Sequence, residues 1–183
     1  GSEKRMKRLM ILGGSSNQMP LIRCARQQGY HVVLCDYSEH SIGRYYADVF
    51  YCVSTLDKEA VLDPARRETI DGIVTNSEPA MLTCAYVGNK LGLTSSPYES
   101  VVTLSRKDLF REFLRENGFN CPRFCTADSL DDALDKIHGF QLPLMVKPVD
   151  SSGSRGVTRI TSRKELEVAF DTAISFSKEK RVM

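Results

Sequence analysis

Short apolar runs alternate with amphipathic helical stretches along the first half of the chain. Each run is continuously apolar, and a stretch with helical periodicity separates it from the next run. This order is typical of a buried parallel sheet with right-handed crossover connections. The pattern therefore predicts that residues 3–97 form a small, doubly wound, Rossmann-like α/β domain. The predicted strands are Arg8–Leu12, "HVVLCD", "VFYCVS" and "DGIVTN", and the predicted helices begin at Pro20, Lys58 and Pro79, the second of them broken or kinked at Pro64.

A different order of elements follows the punctuating stretch "TSSPYES". Helices now flank a strand–loop–strand unit, "LMVKPV" to "VTRIT", and a further strand is expected at the last residues, "KEKRVM". This order predicts that residues 98–183 form a second, smaller α+β unit. Its predicted helices are Lys107–Asn117 with Leu109, Phe110, Phe113 and Leu114 inward, one capped by Asp128 or Ser129, and a last one opened by the capping box of Ser162 and Glu165.

Composition and charge narrow the classes of function. The 183 residues carry 25 basic and 23 acidic side chains, so neither a nucleic-acid surface nor an anionic-membrane surface is expected. No apolar run approaches the ~20 residues that cross a bilayer, and no signal peptide is recognisable, which favours a cytoplasmic protein. The six cysteines are scattered without a C-x-x-C pair, so buried free thiols are expected. Gly1 and Ser2 are typical of an expression-tag remnant.

A glycine-rich turn, "GGSSN" (Gly13–Asn17), lies between the first strand and the first helix. With Asp36 at the end of the second strand it is similar to a dinucleotide site, but the G-x-G-x-x-G pattern fails. What remains is a set of exposed N–H groups at the strand ends, where open α/β sheets bind ligands, or a tight turn only. "TNSEPA" (Thr75–Ala80) follows strand four on the same edge. Its Asn76 and Glu78 are expected to face the glycine turn or merely to cap the next helix.

Lys147 interrupts the otherwise apolar run "LMVKPV". A lysine in a buried strand is costly unless an anion or a cleft receives its charge. The alternative is an edge strand with the ammonium group in water, which Pro148 favours. The loop after the strand offers backbone N–H groups and hydroxyls that can surround phosphate oxygens. Arg155 either adds positive charge to such a phosphate site or is an ordinary exposed surface arginine. The small residues of this loop are Ser151, Ser152, Gly153, Ser154 and Gly156.

Taken together, these residues resemble the ATP-grasp superfamily, in the branch with biotin carboxylase, the carbamoyl phosphate synthase large chain and purine-biosynthetic ligases. The resemblance covers nearly the whole chain: a glycine-turn α/β domain, a lysine opening a helix in "LSRKDLFREFLRENGFNCP", and then "VKPVDSSGSRGV". It implies a pre-ATP-grasp domain followed by the lid-bearing subdomain of an incomplete ATP-grasp domain. It also implies that Lys107 and Lys147 reach the nucleotide phosphates and that Ser151–Val157 closes over them as a lid. Gly13, Gly14, Ser15 and Glu78 become candidate substrate contacts.

The same resemblance implies an activity. Such ligases use ATP and Mg²⁺ to activate a carboxylate as an acyl phosphate, which an amine or a similar nucleophile then attacks. The adenine hinge and the magnesium ligands are expected beyond Met183, so this chain is expected to be an N-terminal fragment, catalytically inactive and a poor ATP binder. The implied partners are small-molecule carboxylates and amines, and a homodimer is compatible with the resemblance.

Two other functions remain open from the sequence. One is an NAD(P)-dependent oxidoreductase that uses Gly13–Gln18 and Asp36, although the missing glycines and the unexplained Lys147 count against it. The other is a non-catalytic α/β domain that binds a metabolite or a partner protein. In that second alternative the domain has lost the chemistry of the ligases that it resembles.

Overall fold

A computed structural model describes residues 5–183, so the tag-like Gly1 and Ser2 lie outside the described residues. The chain divides into two compact units, one ending at Val101 and the other running from Val102 to Met183. The boundary expected from the sequence, between residues 97 and 98, stays a prediction. None of the described helices is both long enough and apolar enough to span a bilayer.

The first unit is built on a four-stranded sheet. Its strands are β1 (Arg8–Leu12), β2 (His31–Asp36), β3 (Val49–Cys52) and β4 (Gly72–Val74). They are all parallel and lie in the order β3–β2–β1–β4. Val32, Val33 and Leu34 are fully buried, because helices cover both faces of the sheet. This double coverage explains why the strands are continuously apolar, and it confirms the doubly wound fold.

Helices pack on both faces of this sheet. On one face, α1 (Met19–Gln27) packs Met19, Ile22 and Ala25 against Ile11, Val32 and Leu34. On the other face, α2 (Lys58–Arg67) and α3 (Met81–Lys90) bury Val61, Leu62, Ala65 and Val87 against Met10, Leu12 and Val33.

Two helical features differ from the sequence-based expectation. The predicted break at Pro64 does not occur. Helix α2 continues through Pro64 and buries Val61, Leu62 and Ala65 beside this proline. A further helix, α4 (Tyr98–Ser105), follows where only a punctuating loop was expected. Its N-terminus is held by Asn89 of α3, whose Oδ1 accepts from the N–H of Tyr98 at 3.0 Å. A cap contributed by another helix leaves no local signal in the sequence.

The second unit combines four helices or helical turns with a two-stranded sheet. Its strands, β5 (Leu144–Val146) and β6 (Thr158–Ile160), are antiparallel. The capping box of Ser162 and Glu165 is formed as predicted and precedes the last helix. The buried cluster of this unit includes Ile137, Val146, Ile160, Leu166, Ala169, Phe170, Ala173 and Val182. Its helices are α5 (Lys107–Glu116), α6 (Leu130–Ile137) and α7 (Leu166–Ser175).

The apolar face of α5 is less buried than the sequence predicts. Leu109 is 36% exposed and Phe113 is 46% exposed, while Phe110 and Leu114 are half-buried. The buried residue of this helix is Asp108, a carboxylate. The prediction that all four apolar residues point inward is therefore wrong. The described residues of this unit cover only part of the apolar face of α5.

The cysteines are unpaired in the described chain, but they are not all buried. Cys24 and Cys52 are exposed, which corrects the expectation of six buried thiols. Cys35 is fully buried in β2, and burial raises its pKa to about 12. Burial likewise raises the pKa of Cys84 to about 11, so both thiols stay protonated at neutral pH.

Candidate functional site

Lys147 lies just after β5, where both sides of the chain are paired. β5 pairs with β6 on one side. On the other side the N–H of Lys147 donates to the carbonyl of Met183 at 2.9 Å, and the N–H of Met183 donates back to the carbonyl of Lys147 at 2.8 Å. Val182 forms a further bridge with Pro148. The backbone of Lys147 is therefore hydrogen-bonded to Met183 and not free as on an open sheet edge, which counts against the edge-strand interpretation.

The charge of Lys147 is destabilised by its surroundings. The residue is half-buried. Burial lowers the pKa of Lys147 below its ordinary value, and the positive charges of Arg111 and Lys107 lower it further. Lys147 thus lies near two other cations, and no carboxylate contributes to the shift in its pKa. An anionic ligand would restore the charge balance.

A cavity of about 350 Å³ lies beside Lys147 within the second unit. This volume lies in the range of small-molecule sites. Three cations, Arg111, Arg123 and Lys147, line the cavity, and no aspartate or glutamate does. Such a lining fits a ligand that has a flat apolar part and a negative part. The apolar lining includes Phe124, Ile137, Phe140, Met145, Val146 and Phe170.

Lys107 connects the start of α5 to the loop between β5 and β6. Its backbone N–H donates to the carbonyl of Val149 at 2.8 Å. Its Nζ donates to the carbonyl of Ser151 at 2.5 Å. The structure thus brings Lys107, Lys147 and the beginning of the loop together, while their roles toward a nucleotide stay predictions.

The loop Ser151–Val157 is a tight, partly exposed hairpin connection. Ser151 is buried, and its Oγ donates to the carbonyl of Arg155 at 2.8 Å. Gly156 has φ +73, and a Cβ there would lie 2.9 Å from the ring of Phe176, so the position requires glycine. Gly153, at φ +65, lies in open space instead. Ser152 and Val157 are half-buried, and Gly153, Ser154 and Arg155 are exposed.

Ion pairs and hydrogen bonds that the sequence analysis missed surround the start of α5 and the start of the hairpin loop. Asp108 is buried and accepts two hydrogen bonds from Arg106, at 3.0 and 2.8 Å. Arg106 also pairs with Glu179 at 3.3 Å. Asp150, just before the hairpin, accepts from the N–H groups of Lys178 and Glu179 at 2.8 and 2.9 Å. The order Arg-Lys-Asp at residues 106–108 was the only local sign of these contacts. The remaining partners are distant in sequence.

The glycine turn of the first unit is internally satisfied. The N–H of Gly13 donates to the carbonyl of Cys35 at 2.8 Å, and that of Gly14 donates to Asp36 Oδ2 at 2.7 Å. The N–H of Ser15 donates to Gln18 Oε1 at 3.1 Å. The expectation that these three N–H groups are exposed is therefore wrong, because β2 and Gln18 supply their acceptors. Their role as substrate contacts stays a prediction.

Gln18, which the sequence analysis did not single out, joins the two predicted loops of this unit. Its Oε1 accepts from the Oγ of Ser15 at 2.6 Å, and its Nε2 donates to Asn76 Oδ1 at 3.0 Å. Asn76 thus lies beside the glycine turn, as predicted, rather than capping a helix. Glu78 is exposed, begins the 3₁₀ turn Glu78–Ala80, and has no ion-pair partner among residues 5–183. The S-x-x-Q spacing of Ser15 and Gln18 was the available signal.

Asp36 does not have the environment of a ribose-binding carboxylate. It is 7% exposed, and its two oxygens accept from the N–H groups of Gly14 and Ser38, at 2.7 and 2.8 Å. A dinucleotide site needs this carboxylate for ribose hydroxyls. The geometry therefore counts against the oxidoreductase alternative.

Sequence comparison finds relatives among metabolic enzymes. The chain is 27% identical over 175 residues to the formate-dependent phosphoribosylglycinamide formyltransferase of Bacteroides thetaiotaomicron, covering 94% of this chain and 45% of that protein. It is 24% identical over 178 residues to the carbamoyl phosphate synthase large chain of Thermotoga petrophila, covering 88% and 16%. The chain thus spans less than half the length of these relatives. No protein-family model matches it.

Solved ligase structures share the fold. The L-amino acid ligase of Bacillus licheniformis matches with a TM-score of 0.74 and 26% identity, covering 98% of this chain and 44% of that one. The Staphylococcus aureus N5-carboxyaminoimidazole synthetase complexed with ADP matches with a TM-score of 0.78 and 21% identity, covering 98% and 48%. The biotin carboxylase domain dimer of the Hydrogenobacter thermophilus 2-oxoglutarate carboxylase, complexed with MgADP and bicarbonate, matches with a TM-score of 0.76 and 16% identity, covering 98% and 44%. The chain is therefore similar, in sequence and in fold, to the N-terminal parts of ligases of the ATP-grasp superfamily.

The described residues of this chain fit part of a magnesium nucleotide. Lysine and arginine side chains beside an apolar cavity suit a purine ring and its phosphates. Magnesium instead needs carboxylate and other oxygen ligands. Within the described part of the chain, no group of three or more histidine, cysteine, aspartate or glutamate side chains is arranged to hold a metal ion.

Proposed function

We propose that this chain is the N-terminal part of an ATP-dependent ligase that activates a carboxylate as an acyl phosphate for attack by an amine or a similar nucleophile. The observation that carries the proposal is Lys147, half-buried directly after strand β5, beside Lys107 and before the hairpin loop. The names of similar proteins support the substrate class. Formate, L-amino acids and bicarbonate each present a carboxylate or a related oxyanion.

Each predicted residue has a physical task in this proposal. Lys107 and Lys147 act as point charges that neutralise phosphate oxygens. The hairpin Ser151–Val157 closes over the phosphates, and its glycines let the backbone approach without side-chain obstruction. A carboxylate oxygen attacks the terminal phosphorus of ATP, the bond to the β-phosphate oxygen breaks, and ADP leaves as the mixed anhydride with phosphate forms. Closure of the hairpin then excludes the water that would hydrolyse that anhydride.

The first unit is proposed to contact the acceptor substrate. Gly13 and Gly14 shape the turn at the carboxyl ends of β1 and β2, where open α/β sheets bind ligands. Because their N–H groups are engaged within the protein, we assign the recognition to the accessible surface of the turn and to the side chains of Ser15 and Glu78. The exposed carboxylate of Glu78 suits an amine or hydroxyl donor on the substrate.

The isolated chain is proposed to be inactive and to bind Mg-ATP weakly. Phosphoryl transfer needs a metal that neutralises charge between the terminal phosphates, and the described residues provide no set of ligands for it. A homodimer is compatible with this proposal, since one structural neighbour is a dimer. Its location in the cytoplasm stays a prediction.

Substitution of Lys147 in the longer gene product tests the proposal. Lys147→Met keeps the length and apolar stem of the side chain but removes its charge. We expect ATP-dependent turnover to fall by about 100-fold or more, with the fold retained by circular dichroism. The matched control is Lys164→Met, at an exposed lysine in the 3₁₀ turn Arg163–Glu165.

The outcomes separate the alternatives. Unchanged turnover of the Lys147→Met variant contradicts the proposed role of this lysine. A wild-type gene product without any ATP-dependent turnover contradicts the ligase proposal and favours a non-catalytic binding domain. An equal loss in the Lys164→Met variant assigns the effect to folding rather than to the site.

A further inference from the structure

Arg111 is a third cation on the same side of α5 as Lys107. Residues four apart on a helix share a face, and the two positions are about 6 Å apart along the axis. Lys107 is tied to the hairpin through the carbonyl of Ser151. Arg111 lies one turn further from that contact and lines the cavity together with Lys147, whereas Lys107 does not line it.

Arg111 differs from its neighbours on α5 in having no carboxylate partner. Arg106 pairs with Asp108 at 2.8 Å, and Arg115 pairs with Glu112. Among residues 5–183, no carboxylate oxygen lies within 4 Å of the guanidinium group of Arg111. The residue is half-buried, so water compensates its charge only in part.

The side chains around the cavity that Arg111 lines supply no negative charge either. None of the residues that line the cavity is acidic, and the other two cations there are Arg123 and Lys147. The guanidinium group of Arg123 lies over the ring of Phe140, 4.7 Å from the ring centroid. One face of this guanidinium group is therefore already occupied by the ring. Arg111 and Lys147 therefore remain as the pair that an anion in this cavity would contact.

We propose that Arg111 is a further anion-binding residue of this chain, which acts with Lys147 on the phosphate nearest to the ring of a bound nucleotide. The inference rests on the proposed ATP-dependent function and adds a residue to it. A guanidinium group binds two phosphate oxygens at once, whereas an ammonium group acts as a point charge. Lys107 and the hairpin, one turn away, are left for the terminal phosphates.

Titration of the 183-residue chain with AMP tests this assignment. AMP carries one phosphate next to the ring, and NMR spectroscopy of the backbone amides detects dissociation constants in the millimolar range. We expect saturable shifts at amides beside the cavity, those of Val146 and Met183 among them. Arg111→Gln is expected to weaken AMP binding by about tenfold, because one charge-assisted contact is lost from a partly exposed site.

Three further titrations make the test specific. Arg111→Lys keeps the charge but not the fork, so it is expected to recover only part of the affinity. Arg163→Gln removes an equal charge from the exposed 3₁₀ turn outside the cavity, and no change is expected. Adenosine lacks the phosphate, so its affinity is expected to be the same for the wild type and for Arg111→Gln.

Three results would overturn the assignment. They are AMP affinity unchanged in Arg111→Gln, an equal loss for AMP and adenosine, or no saturable shift beside the cavity in the wild type. The first two leave the ligase proposal intact, provided that Lys147→Met abolishes turnover in the longer gene product. Loss of the ligase proposal itself would be seen in that turnover assay and not in this titration.

Discussion

Asp108 is a buried carboxylate directly after Lys107, so replacing it with asparagine is expected to destabilise the start of α5. The side chain of Asp108 is 5% exposed and that of Arg106 is 20% exposed. The two hydrogen bonds between them, at 3.0 and 2.8 Å, are charge-assisted. Such bonds contribute roughly 1.5–3 kcal/mol each.

The expected cost of Asp108→Asn follows from what the amide retains. Asparagine keeps one acceptor oxygen, but its NH₂ group then faces the NH₂ of Arg106, so one of the two bonds is lost. Arg106 keeps Glu179 at 3.3 Å, which limits the penalty of leaving the guanidinium group unpaired. We therefore expect a loss of about 2 kcal/mol in the free energy of unfolding.

Asp63→Asn is the matched control. Asp63 also bonds an arginine, Arg67, at 2.7 Å, but the two side chains are 64% and 66% exposed. An exposed pair four residues apart on a helix contributes at most about 0.5 kcal/mol. The two substitutions thus remove the same charge from ion pairs that differ in burial and in the number of contacts, since Asp108 accepts two bonds from Arg106 and also lies 3.8 Å from Arg181.

Hydrogen exchange followed by mass spectrometry measures the effect locally. A cost of about 2 kcal/mol corresponds to roughly 30-fold faster exchange of the protected amides of α5. All seven tyrosines precede Val102 and the chain has no tryptophan, so tyrosine fluorescence reports on the first unit as an internal reference. Exchange in α5 that is no faster in Asp108→Asn than in Asp63→Asn would refute this reasoning.

Two further predictions concern the hairpin and the residue that precedes it. Gly156→Ala is expected to lower the free energy of unfolding by about 2 kcal/mol or more, through backbone strain at φ +73 and contact with Phe176. Gly153→Ala is expected to cost only the backbone strain, about 1 kcal/mol. Equal losses in thermal denaturation would contradict the packing argument. Burial acts to raise the pKa of Asp150, but hydrogen bonds from Ser177, Glu179 and Lys178 outweigh it and hold the pKa below its usual range. This stabilisation is present above the unfolded-state pKa of about 4 and is lost as the pH falls through the folded-state pKa. Asp150→Asn should therefore make acid unfolding less steep, and an unchanged acid limb in a denaturation series would count against it.

The elements that were predictable are those whose signal is local. β1 and β2 have the predicted bounds, because both faces of these strands are buried and their apolar runs are continuous. The helix α4 was missed because its cap, Asn89, belongs to α3. Half of the apolar face of α5 was misplaced because helical periodicity shows which residues share a face but not what covers that face.

The candidate site was predictable to a similar extent. Lys147 and its hairpin stand out because a charge in an apolar run and a cluster of glycines and serines are visible in the sequence. The N–H groups of Gly13 and Gly14, which were expected to be free at the glycine turn, are engaged, because their acceptors lie on β2, some twenty residues away. Arg111 was not singled out, since a lone arginine on a helix has no distinguishing pattern until the cavity beside it is known.

Affinity labelling with periodate-oxidised ATP tests most directly the claim that Lys147 and Lys107 belong to a nucleotide site. The reagent forms a Schiff base with neutral lysine amines, and the labelled peptides are identified by mass spectrometry after reduction. Burial and the nearby cations lower the pKa of Lys147, and this raises the neutral, reactive fraction of its amine. We predict labelling at Lys147 first, with protection by excess ATP at millimolar concentration. Labelling spread over exposed lysines such as Lys164 and Lys178, without protection by ATP, would contradict the account.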